Sequence, residues 1–252
     1  MSDVWDAYRN RITVHGYTQR DRVLYREQRM IAKKIPDNLS YFTVTIDGEE
    51  QNVAIIDGSS FNEKTILSMP RETFPCGGLV EWMDNHWLIT EKDANMEVYA
   101  KGSLLQCNYL LKWIDDEGVI QEHWCALEDG TVAAGEGDNT DSIAMTGDYR
   151  LALTIQRNED TAKLTRENRF IIDDSLTGDK HAVQLTKPVR VGGVYNDEGI
   201  YEFVLTETYT TDYDNFDLCI ADYYRYFSDE DTGNEDESEG GEDEGKGRGG
   251  WL

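Results

Sequence analysis

Apolar and polar residues alternate with a period of two along most of the chain from Tyr41 onward. In Tyr41–Ile46, every second side chain falls on one face, as expected for a half-buried strand. A short Asp47-Gly48 turn and a second apolar run, Val53–Ile56, follow at once. Two such runs around an Asp-Gly pair are typical of a β-hairpin, so the pattern predicts that the β structure begins here.

The most apolar hairpin pattern of the chain lies near its centre. Two runs rich in aromatic and branched residues, Leu79–Met83 and Trp87–Thr90, flank an Asp84-Asn85 pair. Asp and Asn tolerate positive φ, which suits the tight turns that join twisted strands. We therefore predict one hairpin with Trp82 and Trp87 on either side of the turn, at least one of them in the core.

Further alternating runs predict more strands. They are Thr65–Met69, Glu97–Ala100, Leu104–Ile114, Val119–Leu127, Tyr149–Ile155, Phe170–Ile172, Ala182–Leu185, Ile200–Thr206 and Leu218–Tyr224. The run Leu104–Ile114 carries Trp113, a candidate core residue, and is long enough to bend or to serve two sheets. The fold class is therefore predicted as mainly β, a small β-barrel or β-sandwich architecture with two β-rich halves.

Changes in composition divide the chain into five predicted segments. They are an N-terminal arm (1–40), a first β-rich half (41–127), a Gly- and Asp-rich loop or linker (128–148), a second β-rich half (149–227) and an acidic tail (228–252). One short similarity connects the halves, because His86–Lys92 and His181–Lys187 share a His, an apolar centre and a Thr near a Lys. A single match leaves duplication of the halves open.

The N-terminal arm is the one place where the apolar pattern is helical. Thr18 and Asp21 have the spacing of a capping box, and Pro36 ends the helical pattern, so a helix over about 19–34 is predicted. A short strand is expected before it, at Arg11–His15. The helix concentrates the bases of the chain, and its candidate interface residues are Arg22, Arg26, Arg29 and Lys33. Such a face is either solvated or a docking surface for an acidic partner or another copy of this chain.

The overall charge narrows the classes of partner. The chain has 24 basic and 50 acidic residues, which gives a net charge of −26. Residues 228–252 contribute −8 of this, so residues 1–227 are acidic as well. A protein of this charge is expected to repel nucleic acid rather than bind it. The alternative interpretation is that the acidity serves only solubility. The acidic segment 228–252 has few apolar residues to bury, and we expect it to be disordered.

Cysteines and apolar runs give no sign of export or of membrane insertion. Four widely spaced cysteines without a Cys-x-x-Cys pair predict free thiols rather than disulfides or a zinc site. The first residues lack the basic region and apolar run of a signal peptide. No apolar stretch approaches the roughly 20 residues that a membrane-spanning helix needs.

Catalytic motifs are absent from the sequence. It has no nucleotide-binding glycine motif, no nucleophile elbow and no zinc-protease motif. Three polar groups could in principle serve acid–base or metal chemistry: His123 with Cys125; Glu81, Asp84 and His86; and Asp212, Asp214 and Asp217. None has the spacing of a complete site, so we predict no catalytic residue, no metal, no cofactor and no enzymatic activity.

Several segments resemble virion proteins of tailed bacteriophages. They lie in Cys76–Trp113, with Gly77–Trp82, His86–Lys92 and Cys107–Trp113, and later in Asp160–Asp173, Gln184–Lys187 and Asp214–Tyr223. The similar proteins are encoded among the head–tail joining genes. The resemblance covers roughly residues 75–227 and leaves the N-terminal arm and the acidic tail outside.

The resemblance implies a head-closure or head–tail connector protein, a β-barrel subunit that forms a ring below the portal. Its partners would be other copies of itself, portal or adaptor proteins and tail proteins. DNA would pass through without specific binding, and no membrane would be involved. The implied location is the virion, and the host cytoplasm during assembly. Two other classes stay open: an acidic DNA mimic that inhibits a host protein, and a carbohydrate-active β-sandwich with paired carboxylates.

Overall fold

The computed structural model describes residues 2–93, 96–129, 150–173, 178–189, 194–195 and 198–227. Within these ranges the chain is mainly β, as the period-two pattern predicts, with two barrel-like sheets that follow an N-terminal helical arm. The predicted linker lies almost entirely outside the described residues, and so does the whole of the predicted acidic tail.

Two helices form the N-terminal arm. Helix α1 covers Ser2–Thr13 and helix α2 covers Gln19–Lys34, after which a 3-10 turn, Ile35–Asp37, leads into the first strand. Helix α2 is the helix that the sequence predicts. The strand expected at Arg11–His15 is wrong, because the helical spacing of the apolar residues in α1 continues to Thr13.

A glycine separates the two helices. The Gly16 N–H donates to the carbonyl oxygen of Thr13 at 3.0 Å, and its φ of +122° turns the chain toward α2. A Cβ at this position would lie 2.2 Å from the Cβ of Asp21. Because both the conformation and the space exclude a side chain, glycine is required at this corner.

The first barrel is a closed six-stranded sheet. Its strands are β1 (Tyr41–Ile46), β2 (Glu49–Asp57), β3 (Glu63–Ser68), β4 (Leu79–Trp82), β5 (Asn85–Lys92) and β6 (Lys101–Gln106). The order around the barrel is β1-β2-β3-β6-β5-β4, and every pairing is antiparallel. Backbone pairing of β1 with β4 closes the ring, so this barrel has no free edge between them.

The central hairpin is formed by β4 and β5, with its turn one residue earlier than the sequence analysis placed it. Met83 and Asp84 are the two turn residues, at φ values of +50° and +58°, and Asn85 is already the first residue of β5. Two positive φ values are the requirement of a tight primed turn, and here a methionine takes one of them.

The first barrel encloses an apolar core to which alternate residues of all six strands and the Phe74 loop contribute. Its buried members are Val44, Ile46, Val53, Ile55, Ile66, Phe74, Val80, Trp87, Ile89, Ala100 and Leu104. Trp87 is buried, whereas Trp82 is partly buried and packs between Phe42 and Trp87, with ring centroids 5.1 and 5.8 Å away. Three aromatic rings thus fill one region of this barrel.

The long run from Leu104 to Ile114 serves two sheets. Strand β6 ends at Gln106 in the first barrel, and β7 begins at Tyr109 in the second. The two sheets therefore divide the chain at Cys107 and Asn108, rather than after Leu127 as the composition suggests. The expected strand at Glu97–Ala100 is wrong, since these residues form bends that lead into β6.

The second sheet uses the rest of the chain. Its strands are β7 (Tyr109–Ile114), β8 (Ile120–Asp129), β9 (Arg150–Gln156), β10 (Arg169–Asp173), β11 (Lys180–Val189), β12 (Val194–Tyr195) and β13 (Glu198–Glu207). The order is β10-β11-β13-β9-β8-β7, with β12 paired to β13 alone. The core contains Leu111, Trp113, Cys125, Leu153, Ile155, Leu164, Phe170, Ile172, Val183, Leu185, Tyr201, Phe203 and Leu205.

The two sheets have the same strand order. If β12 is set aside, β7 to β11 and β13 follow one another as β1 to β6 do, and each first strand lies beside the fourth. In this correspondence the β4–β5 hairpin matches the β10–β11 hairpin, and these are the segments that carry His86 and His181. The short sequence similarity thus falls on topologically equivalent strands, which supports duplication of an ancestral barrel.

The second barrel is closed by a side chain. The Tyr109 hydroxyl, on β7, donates to the carbonyl oxygen of Ile171 at 3.3 Å and accepts from the N–H of Asp173 at 3.1 Å, both on β10. Burial raises the pKa of Tyr109 to about 12, so its hydroxyl stays protonated as this pairing requires. One phenol here bridges the gap that backbone pairs close in the first barrel.

The segment after β13 packs on the outside of the second barrel. Asn215 and Ile220 form an isolated bridge, and a short helix, α3 (Tyr223–Tyr226), follows. The strand expected over Leu218–Tyr224 is wrong, because Cys219 and Asp222 both take positive φ and interrupt any extended run.

Several contacts join the two barrels. The Gly77 position touches the backbone of Gly199 so closely that a Cβ would lie 1.9 Å from the Gly199 carbonyl oxygen. The Cys76 N–H donates to the Glu198 carboxylate at 3.1 Å. The rings of His86 and Trp124, one from each barrel, stack with centroids 4.1 Å apart. The barrels therefore form one packed body.

Candidate interaction surface

Helix α2 is stabilised at its first turn by the residues that predicted it. The Asp21 N–H donates to the Thr18 hydroxyl at 3.1 Å, and the Thr18 N–H donates to the Asp21 carboxylate at 3.0 Å. These hydrogen bonds to Thr18 hold the pKa of Asp21 below its usual value. Both charge and geometry suit a helix N-terminus, so the helix start is well defined.

One face of α2 is attached to the first barrel. The Arg20 guanidinium contacts the Glu97 carboxylate at 2.6 Å, and the Gln28 amide donates to the Glu97 carbonyl oxygen at 3.0 Å. Arg71 donates to the side-chain oxygen of Gln28 at 3.2 Å and lies over the ring of Tyr25. These polar contacts fix which side of the helix meets the barrel.

The opposite face of α2 carries the predicted interface residues. Arg22, Arg26, Arg29 and Lys33 follow a spacing of four, three and four, which places them in one stripe, and all four are exposed. We call this stripe the basic face. In the described part of the chain its contacts are local: Arg22 donates to the Thr18 carbonyl oxygen, and Arg26 lies 3.6 Å from Glu27.

Helix α1 presents an apolar stripe that the sequence analysis missed. Trp5, Tyr8 and Ile12 recur at helical spacing beside Val4, and their exposed fractions are 69, 56, 44 and 75% respectively. Every residue from Val4 to Ile12 is exposed. A helix of 12 residues is marginal in water without tertiary contacts, so an exposed stripe of this kind calls for a partner surface.

An acidic groove lies on the first barrel beside the β1–β2 turn. It has a volume of about 580 Å³ and is lined by Asp47, Glu49, Glu50 and Glu72 together with Ile46, Gln51, Asn52, Thr73 and Pro75. The four carboxylates define what we call the acidic groove. Glu49, Glu50 and Glu72 are exposed, and none of the nine lining residues is basic.

Two anchors hold the groove in shape. The Asp47 carboxylate accepts from the Leu79 N–H at 2.9 Å and from the Gln156 amide at 2.8 Å, which ties the turn to β4 and to the second barrel. On the other side, the Ser68 hydroxyl donates to the Glu72 carbonyl oxygen at 2.8 Å. The remaining carboxylates thus project from a rigid rim.

The polar groups at the central hairpin do not assemble into a reactive set. Glu81 and His86 face each other across β4 and β5, and Asp84 is a turn residue. The His86 ring stacks on the Trp124 ring. The ring stack and the turn thus give structural roles to His86 and Asp84.

His123 and Cys125 are parts of the second barrel. The His123 ring stacks on Trp113 with centroids 5.0 Å apart, and its Nε2 lies 3.7 Å from the Asp160 carboxylate. Burial lowers the pKa of His123, and Asp160 offsets this only in part. Burial raises the pKa of Cys125, so its thiol is not ionised near neutral pH.

The aspartate cluster near the C-terminal segment is bound to an arginine. Asp214 is buried and pairs with the Arg169 guanidinium at 2.8 Å, and Asp222 lies 3.2 Å from the same guanidinium. Burial works against ionisation of Asp214, but the hydrogen bonds that it accepts from Arg169 and from the N–H groups of Asp222 and Thr211 together outweigh burial and keep its pKa below the usual value. We call these three residues the Arg169 clamp.

The described ranges of residues contain neither a metal-binding cluster nor a membrane-spanning helix. No group of three His, Cys, Asp or Glu side chains there has the geometry to hold a metal ion. No helix within those ranges is long and apolar enough to cross a bilayer.

The described residues form two barrel-like sheets behind a two-helix arm whose apolar stripe and basic face are exposed. Residues 19–106 match the model of the YomX N-terminal domain, a phage-associated domain family. The matched range begins at the first residue of α2 and ends at the last residue of β6, so it coincides with α2 and the first barrel. No curated protein and no solved structure matches the chain.

The match changes the extent of the predicted phage resemblance. That resemblance was expected over roughly residues 75–227, whereas the family match overlaps it only from there to residue 106. Helix α2 was expected to fall outside and lies inside. The basic face therefore belongs to the unit that resembles a phage-associated domain.

Proposed function

We propose that this chain is a structural virion protein of a tailed phage, a head-closure or head–tail connector component that forms a ring between portal and tail. The observation that carries the proposal is the two-helix arm, whose apolar stripe and basic face are both exposed on a protein of otherwise acidic character. Surfaces of this kind suit assembly with neighbouring subunits.

The charge of the chain fits a channel through which DNA is retained and then passes. A net charge of −26 repels the duplex, so DNA would slide rather than bind. Because the bases are concentrated on α2, the same chain can still present a positive surface to a protein partner. The similarity to a phage-associated domain family supports a phage setting.

The proposed role is binding without catalysis. Four of the residues that could have supplied acid–base chemistry have structural contacts: His86 and His123 lie in ring stacks, Asp84 in a tight turn and Asp214 in the Arg169 clamp. Burial raises the pKa of Cys107 to about 12, which leaves its thiol unreactive near neutral pH. The proposed partners are other copies of the chain, a portal or adaptor protein and a tail protein.

Reversal of the basic face tests the proposal. A variant with Arg22→Glu, Arg26→Glu and Arg29→Glu should fold and fail to join heads to tails in a complementation assay, because all three side chains are exposed. A matched control with Lys101→Glu, Lys163→Glu and Arg166→Glu makes the same charge change on other exposed bases and should still assemble. Infectious particles from the first variant would refute the proposal.

Two binding measurements test the proposal further. A channel component should show no tight binding of wild-type protein to duplex DNA at physiological salt. Tight binding would contradict the account. Capture of a host DNA-binding protein, with no effect of gene loss on head–tail joining, would instead favour the acidic DNA mimic.

A further inference from the structure

We infer that the basic face of α2 docks into the acidic groove on the first barrel of a second copy of this chain. The inference deepens the self-association part of the proposed function by naming both halves of the contact. It does not depend on where in the virion the copies meet.

The two surfaces are complementary in charge. The basic face has four cationic side chains in one stripe, Arg22, Arg26, Arg29 and Lys33. The acidic groove has four carboxylates and no base among its lining residues. Opposite charges across an interface steer the encounter and set the register of the partners.

The basic face and the groove of one copy are directed to different neighbours. Helix α2 is held on its own barrel through Arg20 and Gln28, which lie on the other side of the helix from the basic face. The basic face is therefore turned away from the barrel that carries the groove. A contact that uses two different surfaces of each copy is head-to-tail, and it closes into a ring when the rotation between copies permits.

The apolar stripe of α1 would add the apolar burial that the charged surfaces do not provide. Complementary charges contribute more to orientation than to affinity, so a stable contact also needs apolar burial. Trp5 and Tyr8 are residue types that dominate binding energy at protein interfaces, and both are exposed on the same arm. The arm thus combines a charged surface that sets register with an apolar surface that adds affinity.

A charge-swap experiment on the full chain tests the contact. One variant reverses the arm (Arg22→Glu, Arg26→Glu, Arg29→Glu), a second reverses the groove (Glu49→Lys, Glu50→Lys, Glu72→Lys), and a third combines all six changes. A control reverses three exposed acidic residues of the second barrel (Asp116→Lys, Glu117→Lys, Asp212→Lys). Self-association is measured by sedimentation velocity over a concentration series, and near-ultraviolet circular dichroism checks that each variant is folded.

The wild type should self-associate, and its dissociation constant should rise with salt, because the Debye length falls from about 10 Å at 0.1 M to about 3 Å at 1 M. Each single-surface variant should weaken association at least about tenfold. The combined variant should recover most of the loss, and the control should resemble the wild type. Recovery in the combined variant is the decisive result, since only paired surfaces can show it.

Three results would overturn the inference. The first is a wild type that stays monomeric at low salt, and the second is a combined variant that associates no better than the single-surface variants. The third is an arm reversal that weakens association in the full chain but not in a chain truncated after Phe227. The last result would make the acidic segment of the chain itself the occupant of the basic face. If the charge swap works but the protein is absent from the head–tail junction, the docking stands and the proposed position in the virion is wrong.

Discussion

The two barrels share a strand order and differ in how the ring is closed. Backbone pairs between β1 and β4 close the first barrel, whereas the Tyr109 hydroxyl joins β7 to β10 in the second. The second barrel also carries the Arg169 clamp, which ties the segment after β13 to β10. One topology can therefore be completed by main-chain hydrogen bonds or by a few side chains, and the second solution depends on single residues.

The barrels also differ in what they present outside. The first barrel bears α2, the acidic groove and the match to a phage-associated domain family. The second buries Asp214 in the Arg169 clamp, and α3 with the residues before it packs on its outside. Under the proposed function, the assembly contacts would fall to the first barrel and a supporting role to the second.

The largest expected effect is loss of the core tryptophan of the first barrel. Trp87→Ala should lower the free energy of unfolding by about 3–5 kcal/mol, because it removes a buried indole that packs against Trp82. Trp82→Ala should cost less, since this ring is only partly buried. Denaturant unfolding of both variants measures the difference. Wild-type stability in both would show that the central hairpin does not organise this barrel.

Loss of the Arg169 clamp should lower the free energy of unfolding by an amount similar to that of the Trp87 variant. Arg169→Met leaves the buried Asp214 carboxylate without its partner and should cost about 3–5 kcal/mol. Arg225→Met is the control, because this side chain is more than half exposed and should contribute little. A small loss in the Arg169 variant would mean that Asp214 is neutral in the folded protein.

The clamp also predicts a response to acid. The folded-state pKa of Asp214 lies below its unfolded value of about 3.9, so its contribution is present above that pH and is lost as the pH falls through the folded pKa. The stability gap between wild type and Arg169→Met should therefore narrow below about pH 4. A gap that widens in acid would contradict the assignment.

A smaller effect is expected at the closure of the second barrel. Tyr109→Phe removes both hydrogen bonds to β10 and should cost about 1–3 kcal/mol, with faster hydrogen exchange in β7 and β10. Tyr41→Phe on β1 is a matched control in the first barrel, where closure is by backbone, and should change stability by less than about 0.5 kcal/mol. Equal effects would remove the contrast between the barrels.

The smallest effect is expected for the acidic segment. From composition, truncation after Phe227 should leave the melting temperature within about 2 °C of the full chain, which corresponds to less than about 1 kcal/mol. Differential scanning calorimetry measures it. A shift of several degrees would show that residues 228–252 pack on one of the barrels.

Local patterns in the sequence were sufficient for most elements. Alternation predicted the strands, and the capping box with Thr18 and Asp21 predicted α2. Length alone predicted that the run Leu104–Ile114 bends or serves two sheets, and the change of sheet at Cys107 and Asn108 confirms it. Local reasoning failed at Leu218–Tyr224, where Asp222 at positive φ interrupts the apolar run. Helix α1 was missed although Trp5, Tyr8 and Ile12 recur at helical spacing, because the end of this segment was interpreted as a strand at Arg11–His15.

The candidate surface was only half visible in the sequence. The basic face could be read from spacing along one helix, because its residues are neighbours in sequence. The acidic groove could not, since Glu49 and Glu72 are brought together only by the closure of the first barrel. The Arg169 clamp joins residues 45 positions apart for the same reason. Long-range pairs of this kind need the fold before they can be recognised.

Electron microscopy of labelled particles tests the central claim most directly. Phage particles are treated with gold-conjugated antibody against this protein, and the position of each gold particle is recorded in negative stain. The account predicts label at the junction of head and tail, and unjoined heads and tails when the gene is disrupted. Label along the tail or on the capsid surface, or no label on particles whose assembly is normal, would contradict it.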